Sequence, residues 1–384
     1  MFGNWKRLMT VGLLGMALAG CKVIPDSGQP PVTQPAPQPT ETPDIVLPDD
    51  DGRHRIALLV PLSGENGPVG QSIANATTMA LLDTNASNLR ITTYDTATGA
   101  SSAAAQAVRD GNKLILGPLL GADVSAVIAR ARPASVPLIT FSNDTSIAAR
   151  DVFVLGVIPE QSIVRTVDYA MANGSRRFAA LVPNGEYGRR AEIALTDRIS
   201  AQGGVLVATE RYDRGNTSIV SAAERLRARG GFDTVLIADG VRLSAMAAGA
   251  LKDAGDSLPK LLGTELWSGD DGLARASSLR GAWFSAVSDA RYRQFLNSYE
   301  TRFGEQPYRI ATLGYDAVLL TLRVARDWRP GRNFPTAAVL DEGGFIGLDG
   351  PFRFQRNGIA ERAMEVRQVG NGSVSVVDPA PTRF

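Results

Sequence analysis

The sequence holds one cysteine and one histidine among 384 residues, and these scarcities exclude several chemistries. A single Cys forms no intramolecular disulfide. One Cys with one His falls short of the ligand set of a zinc site. His54 stands where the folded part begins, whereas a Ser-His-Asp triad needs its imidazole deep inside. Charge of one sign is missing too. The 40 Lys and Arg against 39 Asp and Glu leave a net +1, which gives no electrostatic footprint for nucleic acid. Only Lys6, Lys22, Lys113, Lys252 and Lys260 are lysines; the remaining basic residues are arginine. No apolar run reaches the roughly 18 residues of a membrane-spanning helix. A Walker loop, a Gly-x-Gly-x-x-Gly fingerprint and a nucleophile elbow are all absent. The sequence therefore predicts a non-enzymatic protein with no cofactor and no metal.

What is present begins with an address. Lys6 and Arg7 precede an apolar stretch from Leu8 to Ala19, too short to span a bilayer. It ends in Leu18-Ala19-Gly20-Cys21, small residues followed by the only Cys. This pattern resembles the bacterial lipobox, which implies cleavage before Cys21, a diacylglyceryl group on its thiol and a lipid-anchored protein. Residues 1–21 are thus read as a lipoprotein signal peptide. Lys22, rather than Asp, at the next position resembles sorting to the outer membrane, facing the periplasm. Residues 22–52 carry eight of the 22 prolines and read as a disordered, Pro-rich linker. At about 3.1 Å per residue such a tether reaches roughly 90 Å when extended.

From residue 53 the pattern alternates. Arg55–Val60, Arg90–Tyr94, Lys113–Leu116 and Val136–Phe141 are short apolar runs separated by helical stretches. A second series follows Pro159, with strands at Phe178–Val182, Val205–Ala208, Thr234–Ala238 and Lys260–Gly263. Strands alternating with helices of this length predict parallel, doubly wound α/β sheets. Two such series predict two lobes of about 150 residues each. Gly370-Asn371-Gly372 separates two apolar runs and predicts a terminal hairpin.

Short motifs then point to a family. Tyr94-Asp95-Thr96, Leu116-Gly117-Pro118, Pro183-Asn184-Gly185-Glu186-Tyr187-Gly188 and Gly314-Tyr315-Asp316-Ala317 occur in that order. Together they resemble type I periplasmic binding proteins, including leucine-binding proteins. The resemblance implies two doubly wound parallel-sheet lobes joined by three crossovers, near 156–160, 284–289 and 328–340. Lobe 1 would be 53–157 plus 288–330, and lobe 2 would be 158–285 plus 338–384. Ile115-Leu116-Gly117-Pro118-Leu119-Leu120 and Thr140-Phe141-Ser142-Asn143-Asp144 resemble a narrower group, the lipoprotein activators of penicillin-binding proteins.

In doubly wound sheets ligands sit beyond the carboxyl ends of the strands. The loops available there hold Ser63, Leu119, Leu120, Ser142, Asn143, Asp144, Tyr187, Asp239 and Glu265. The same residue types also serve as loop formers and helix caps. The resemblance implies that hydroxyls and amides would hold a ligand carboxylate, and a carboxylate or aromatic group its ammonium. Ser142, Asp144, Tyr187 and Glu265 fit those parts. Leu119 and Leu120 stand where many amino-acid binders have Ser or Thr, so a filled cleft or a partner-docking surface is the expectation there. The resemblance thus implies an outer-membrane lipoprotein that stimulates a peptidoglycan synthase, a penicillin-binding protein. The alternative is the solute-binding lipoprotein of an ABC transporter for branched-chain or other amino acids or amides.

Overall fold

The computed structural model describes residues 52–252 and 259–384. The signal segment with Cys21 and the linker up to Asp51 lie outside the described residues.

The first series runs β1 (His54–Val60), α1 (Gly67–Asp83), β2 (Leu89–Asp95), α2 (Ala100–Arg109), β3 (Leu114–Leu116), α3 (Gly121–Ala131), β4 (Leu138–Thr140) and β5 (Val152–Val154). The second runs α4 (Pro159–Ala172), β6 (Arg177–Pro183), α5 (Glu186–Ala201), β7 (Val205–Tyr212), α6 (Ser218–Arg229), β8 (Thr234–Ile237), α7 (Val241–Lys252), β9 (Lys260–Leu262) and β10 (Trp283–Ala286). The tail adds α8 (Tyr292–Phe303), α9 (Thr312–Ala325), β11 (Phe345–Gly347), β12 (Gly350–Phe354), β13 (Ala360–Arg362), β14 (Glu365–Val369) and β15 (Val374–Asp378).

The two lobes share one wiring. The first sheet has the order β2-β1-β3-β4-β5, all parallel. In the second, β7-β6-β8-β9-β10 repeats that order in parallel. The β14–β15 hairpin then continues the second sheet antiparallel from β10. Past their first residues the central strands β1 and β6 are continuously apolar and buried, because helices cover both faces. In lobe 1, Ile56, Leu58 and Val60 of β1 face α1 and α9, while Ala57 and Leu59 face α2 and α3. In lobe 2, Ala179 and Leu181 of β6 face α6 and α7, while Phe178, Ala180 and Val182 face α4 and α5. Single-residue alternation along each strand thus feeds two separate cores.

The chain passes between lobes after β5, after β10, and at Ala363-Met364 between β13 and β14. The third crossover was expected at 328–340, so that expectation needs correction. Residues 345–362 form a separate three-stranded sheet, β11-β12-β13, and it packs on lobe 1. Phe345, Phe352 and Phe354 join the core of β1 and α9, and Phe354 meets Phe153 of β5 at 5.5 Å between ring centroids. Burial of these rings overrides sequence proximity to β14. Of the predicted segment 338–384, the β14–β15 hairpin belongs to the lobe 2 sheet.

Three arginines tie the crossovers together. Arg362 Nη2 donates to the carbonyl of Leu155 at 2.9 Å, and Arg367 Nη2 to that of Val287 at 2.6 Å. Arg165 of α4 reaches the carbonyl of Met364 at 3.1 Å. Each guanidinium satisfies main-chain carbonyls that irregular connecting segments would otherwise bury unpaired.

Candidate functional site

The strand order reverses beside β1 and β3 in lobe 1, and beside β6 and β8 in lobe 2. Such reversals open crevices at the carboxyl ends of the strands. A cavity of about 510 Å³ lies at this level between the lobes. Lobe 1 contributes Leu119, Leu120, Phe141, Ser142 and Asn143 from the loops after β3 and β4. Lobe 2 contributes Glu265, Leu266 and Ser268 from the segment after β9. The turn before α9 adds Arg309 and Ile310, and the start of α9 adds Thr312 and Leu313.

Five of the nine cleft candidates therefore meet on one wall set: Leu119, Leu120, Ser142, Asn143 and Glu265. The two leucines line the space without filling it, because the loop carries them along its edge. Leu120 remains 37% exposed. Tyr187 stands directly behind Glu265, its hydroxyl 3.1 Å from Oε1 and 2.9 Å from Thr264 Oγ1. Asp144 sits in an adjoining groove rather than in the cavity. Its carboxylate caps the one-turn helix Thr145–Ile147 through the Ser146 N–H at 2.9 Å, and the hydrogen bond from the Ser146 hydroxyl at 2.7 Å, with that cap, holds its pKa below the ordinary value.

The two remaining candidates lie away from the cavity. Ser63 is exposed and faces Asp95 at 3.4 Å, at the ends of β1 and β2. Asp239 is buried in the framework of lobe 2, accepting from Tyr212 at 2.6 Å and Arg214 at 2.9 Å. Its carbonyl also accepts from the indole of Trp267 at 2.9 Å. His54 is buried and stacked on Trp328 at 4.1 Å, and burial lowers its pKa.

The sequence reading missed the ionic floor. Arg309 Nη1 lies 2.8 Å from Asp349 Oδ1, and Asp349 Oδ2 accepts from Thr312 at 2.9 Å. The Arg309 guanidinium also stacks over the Tyr292 ring at 4.1 Å. Below this, Arg362 Nη1 is 3.6 Å from Asp316 Oδ2 and 3.9 Å from Asp349 Oδ2. Burial and the nearby Asp349 charge raise the pKa of Asp316, against the pull of Arg362. No local pattern announces this floor, since its members come from α9, the β11–β12 turn and β13.

Glu265 is a strongly perturbed group on the cavity wall. Burial pushes its carboxyl up to about 7. One oxygen accepts from Tyr187, while Oε2 is buried without a partner, as is Ser268 Oγ. Arg309 Nε and Nη2, on the same cavity's lining, are likewise buried without a hydrogen-bond partner; buried polar atoms are nearly always satisfied, so this gathering marks a place built to meet a ligand. Among the described residues no group of three or more His, Cys, Asp and Glu is placed to hold a metal. No helix among them is long and apolar enough to cross a membrane.

Comparison with known proteins agrees with this architecture. A family model described as "Periplasmic binding protein" matches residues 54–373. A ligand-binding protein of a branched-chain amino acid ABC transporter from Burkholderia xenovorans LB400 superposes with a TM-score of 0.68 at 16% identity, covering 85% of this chain and 96% of that one. LivJ of Streptococcus pneumoniae in complex with isoleucine gives 0.62 at 18% identity, covering 85% and 100%. A solute-binding protein of R. palustris in complex with benzoate gives 0.61 at 17% identity, covering 86% and 98%. Among curated sequences, the uncharacterized protein RP748 of Rickettsia prowazekii (strain Madrid E) is 28% identical over 173 residues, spanning 44% of this chain and 46% of that protein.

Proposed function

Because the chain belongs to the periplasmic binding protein family, we propose that it is a non-catalytic binding protein of the cell envelope that takes one small ligand between its lobes. The observation that carries this is the interlobe cavity with Glu265 Oε2 and Ser268 Oγ on its wall, buried and unpartnered. A ligand group that supplies the missing hydrogen bonds removes a cost of about 1–3 kcal/mol per atom. Both atoms belong to lobe 2, and Leu119, Leu120 and Ser142 of lobe 1 face them across the cavity, so a ligand that contacts both walls favours a closed arrangement about the three crossovers. Ser142, Asn143 and Glu265 are the polar contacts of this reading, with Tyr187 orienting the Glu265 carboxyl. The lipobox-like Leu18-Ala19-Gly20-Cys21 supports anchoring to a membrane through a lipid on Cys21 in this reading, with residues 22–52 as tether.

A second reading is favoured by that tether. A Pro-rich linker able to extend roughly 90 Å suits a domain that works away from its membrane. In this reading the domain docks on a peptidoglycan synthase and stimulates it, and cavity occupancy sets the docking-competent arrangement.

The test is a thermal-shift screen of the full chain against amino acids, amides, aromatic acids and muropeptides, with parallel capture of the organism's synthases. Ligand at about 100 times its Kd stabilises the fold by about 2.7 kcal/mol, a shift of a few degrees. A shift with a solute and no synthase captured supports the transport reading. A captured synthase whose activity rises supports the second. No shift with any solute, together with no synthase captured, would overturn the proposal.

A further inference from the structure

We propose that the cavity receives an organic acid whose carboxylate lies side-on against the Nε/Nη2 edge of Arg309. The proposal rests on the reading of the cavity as a small-ligand site, and it names the ligand class and the residue that selects it.

A guanidinium carries parallel N–H donors along its edges, and the edge with Nε and Nη2 matches the two oxygens of one carboxylate. This chain uses that edge repeatedly. Arg132 holds Asp151 through Nε at 2.7 Å and Nη2 at 2.9 Å. Arg190 holds Glu160, and Arg198 holds Asp168, through the same two atoms. Arg309 leaves the edge empty. Its Nε and Nη2 are buried, and neither has a hydrogen-bond partner.

The neighbouring carboxylates do not fill this edge. Asp349 meets Nη1 instead, at 2.8 Å, and Nη1 also donates to Thr312 Oγ1 at 3.1 Å. Asp289 Oδ1 lies 3.8 Å from Nη2, beyond hydrogen-bond reach. Its other oxygen pairs with Arg367, and Asp349 lies 3.9 Å from Arg362. Each acid beside Arg309 therefore has a second cation, and a further carboxylate does not face their full charge. Two buried donors without an acceptor are costly, and a carboxylate returns two charge-assisted hydrogen bonds to them.

The lobe 1 loops are poorer receivers. Among the described residues that they bring to the cavity, Ser142 alone carries a hydroxyl, and its Oγ already accepts from the Asp144 N–H at 3.0 Å. Leu119, Leu120 and Phe141 of these loops, with Leu266 and Ile310, line the space for an apolar body. Arg309 itself is covered from both sides. Tyr292 stacks on its guanidinium at 4.1 Å, and a Cβ at Gly269 of lobe 2 would stand 3.4 Å from its Cδ. The acid thus enters when the lobes part and is enclosed as they close.

The experiment titrates the full chain by calorimetry with acids and their primary amides, which share shape but not charge: 4-methylpentanoate with 4-methylpentanamide, and benzoate with benzamide. The expected result is that at least one acid binds, at least tenfold tighter than its amide. Arg309→Lys keeps a cation beside Asp349 and loses the Nε/Nη2 edge, so it should weaken that acid at least tenfold and change the amide less than twofold. The comparison of acid with amide stands on the natural chain if the variant does not fold. If an amide binds as tightly as its acid, or Arg309→Lys binds the acid as the natural chain does, the proposal is overturned while the small-ligand site stands. If no probe binds, the carboxylate proposal falls, and the thermal-shift screen of the other solutes then decides the small-ligand reading separately.

Discussion

Arg190 Nη2 donates to the main-chain carbonyl of Asn143 at 3.0 Å, and so joins α5 of lobe 2 to the lobe 1 loop that edges the cavity. The same guanidinium grips Glu160, at the start of α4, through Nε at 2.6 Å and Nη2 at 2.7 Å. This bidentate pair is mostly shielded from water, and so is stronger than an ordinary surface ion pair.

Arg190→Ala is expected to loosen the lobes. Spin labels at introduced cysteines replacing Leu82 and Val205, in a Cys21→Ser background, should show a broader interlobe distance distribution by double electron–electron resonance. Tm should fall by a few degrees, matching about 1–2 kcal/mol. An unchanged distribution would show that the crossovers alone set the lobe positions.

Glu265 gives the folded chain a pH signature. Its carboxyl titrates near 7 when folded and near its ordinary 4.5 when unfolded. Between these values the folded chain holds a proton that the unfolded chain releases. Stability from this group is therefore full below about 4.5 and declines as pH rises through about 7. Tyr187 and Arg190 of α5 and Glu160 of α4 also bear on it, and all remain in Glu265→Gln. That variant should flatten the decline by about 1–3 kcal/mol, measured as urea midpoints across pH 4.5–8. An unaltered slope would contradict the assignment.

The Asp316–Arg362 contact should respond unequally to its two ends. Both side chains are almost fully buried. Arg362→Met leaves Asp316 and Asp349 without their shared cation and removes the bond to Leu155, so a loss of about 3–5 kcal/mol is expected. Asp316→Asn should cost less, because burial already favours a neutral group there and the amide oxygen still accepts from Leu348. Denaturant midpoints of the two variants test the order.

Gly314→Ala tests a motif that the sequence offered as family-like. A Cβ at Gly314 would stand 2.5 Å from the carbonyl of Ile73 and 2.7 Å from Thr77 Oγ1. The glycine is there because α9 presses on α1. The substitution should destabilise by about 1–3 kcal/mol, read by thermal unfolding.

The alternation of strand and helix was legible because β1, β6 and β8 carry continuous apolar runs, Ile56–Val60, Phe178–Val182 and Val235–Ile237. β5 was missed: Val152–Val154 is three residues long, too short to show a period. The docking of β11–β13 on lobe 1 was also out of reach, since three aromatic side chains decide it and adjacency in sequence does not. Leu119, Leu120, Ser142, Asn143 and Glu265 were legible as members of one cleft because strand-end loops in this fold face each other. Arg309, Asp349 and Ser268 carried no signal. Arg309 and Asp349 enter the cavity through long-range packing of the tail, whereas Ser268 lies three residues beyond Glu265 on the segment after β9.

The most direct measurement adds the small-molecule fraction of the organism's own envelope extract to the purified full chain and to Leu120→Arg, and reads Tm for both. The account predicts a rise of a few degrees for the natural chain and none for the variant. No rise in either protein, or equal rises in both, would contradict a ligand site between the lobes.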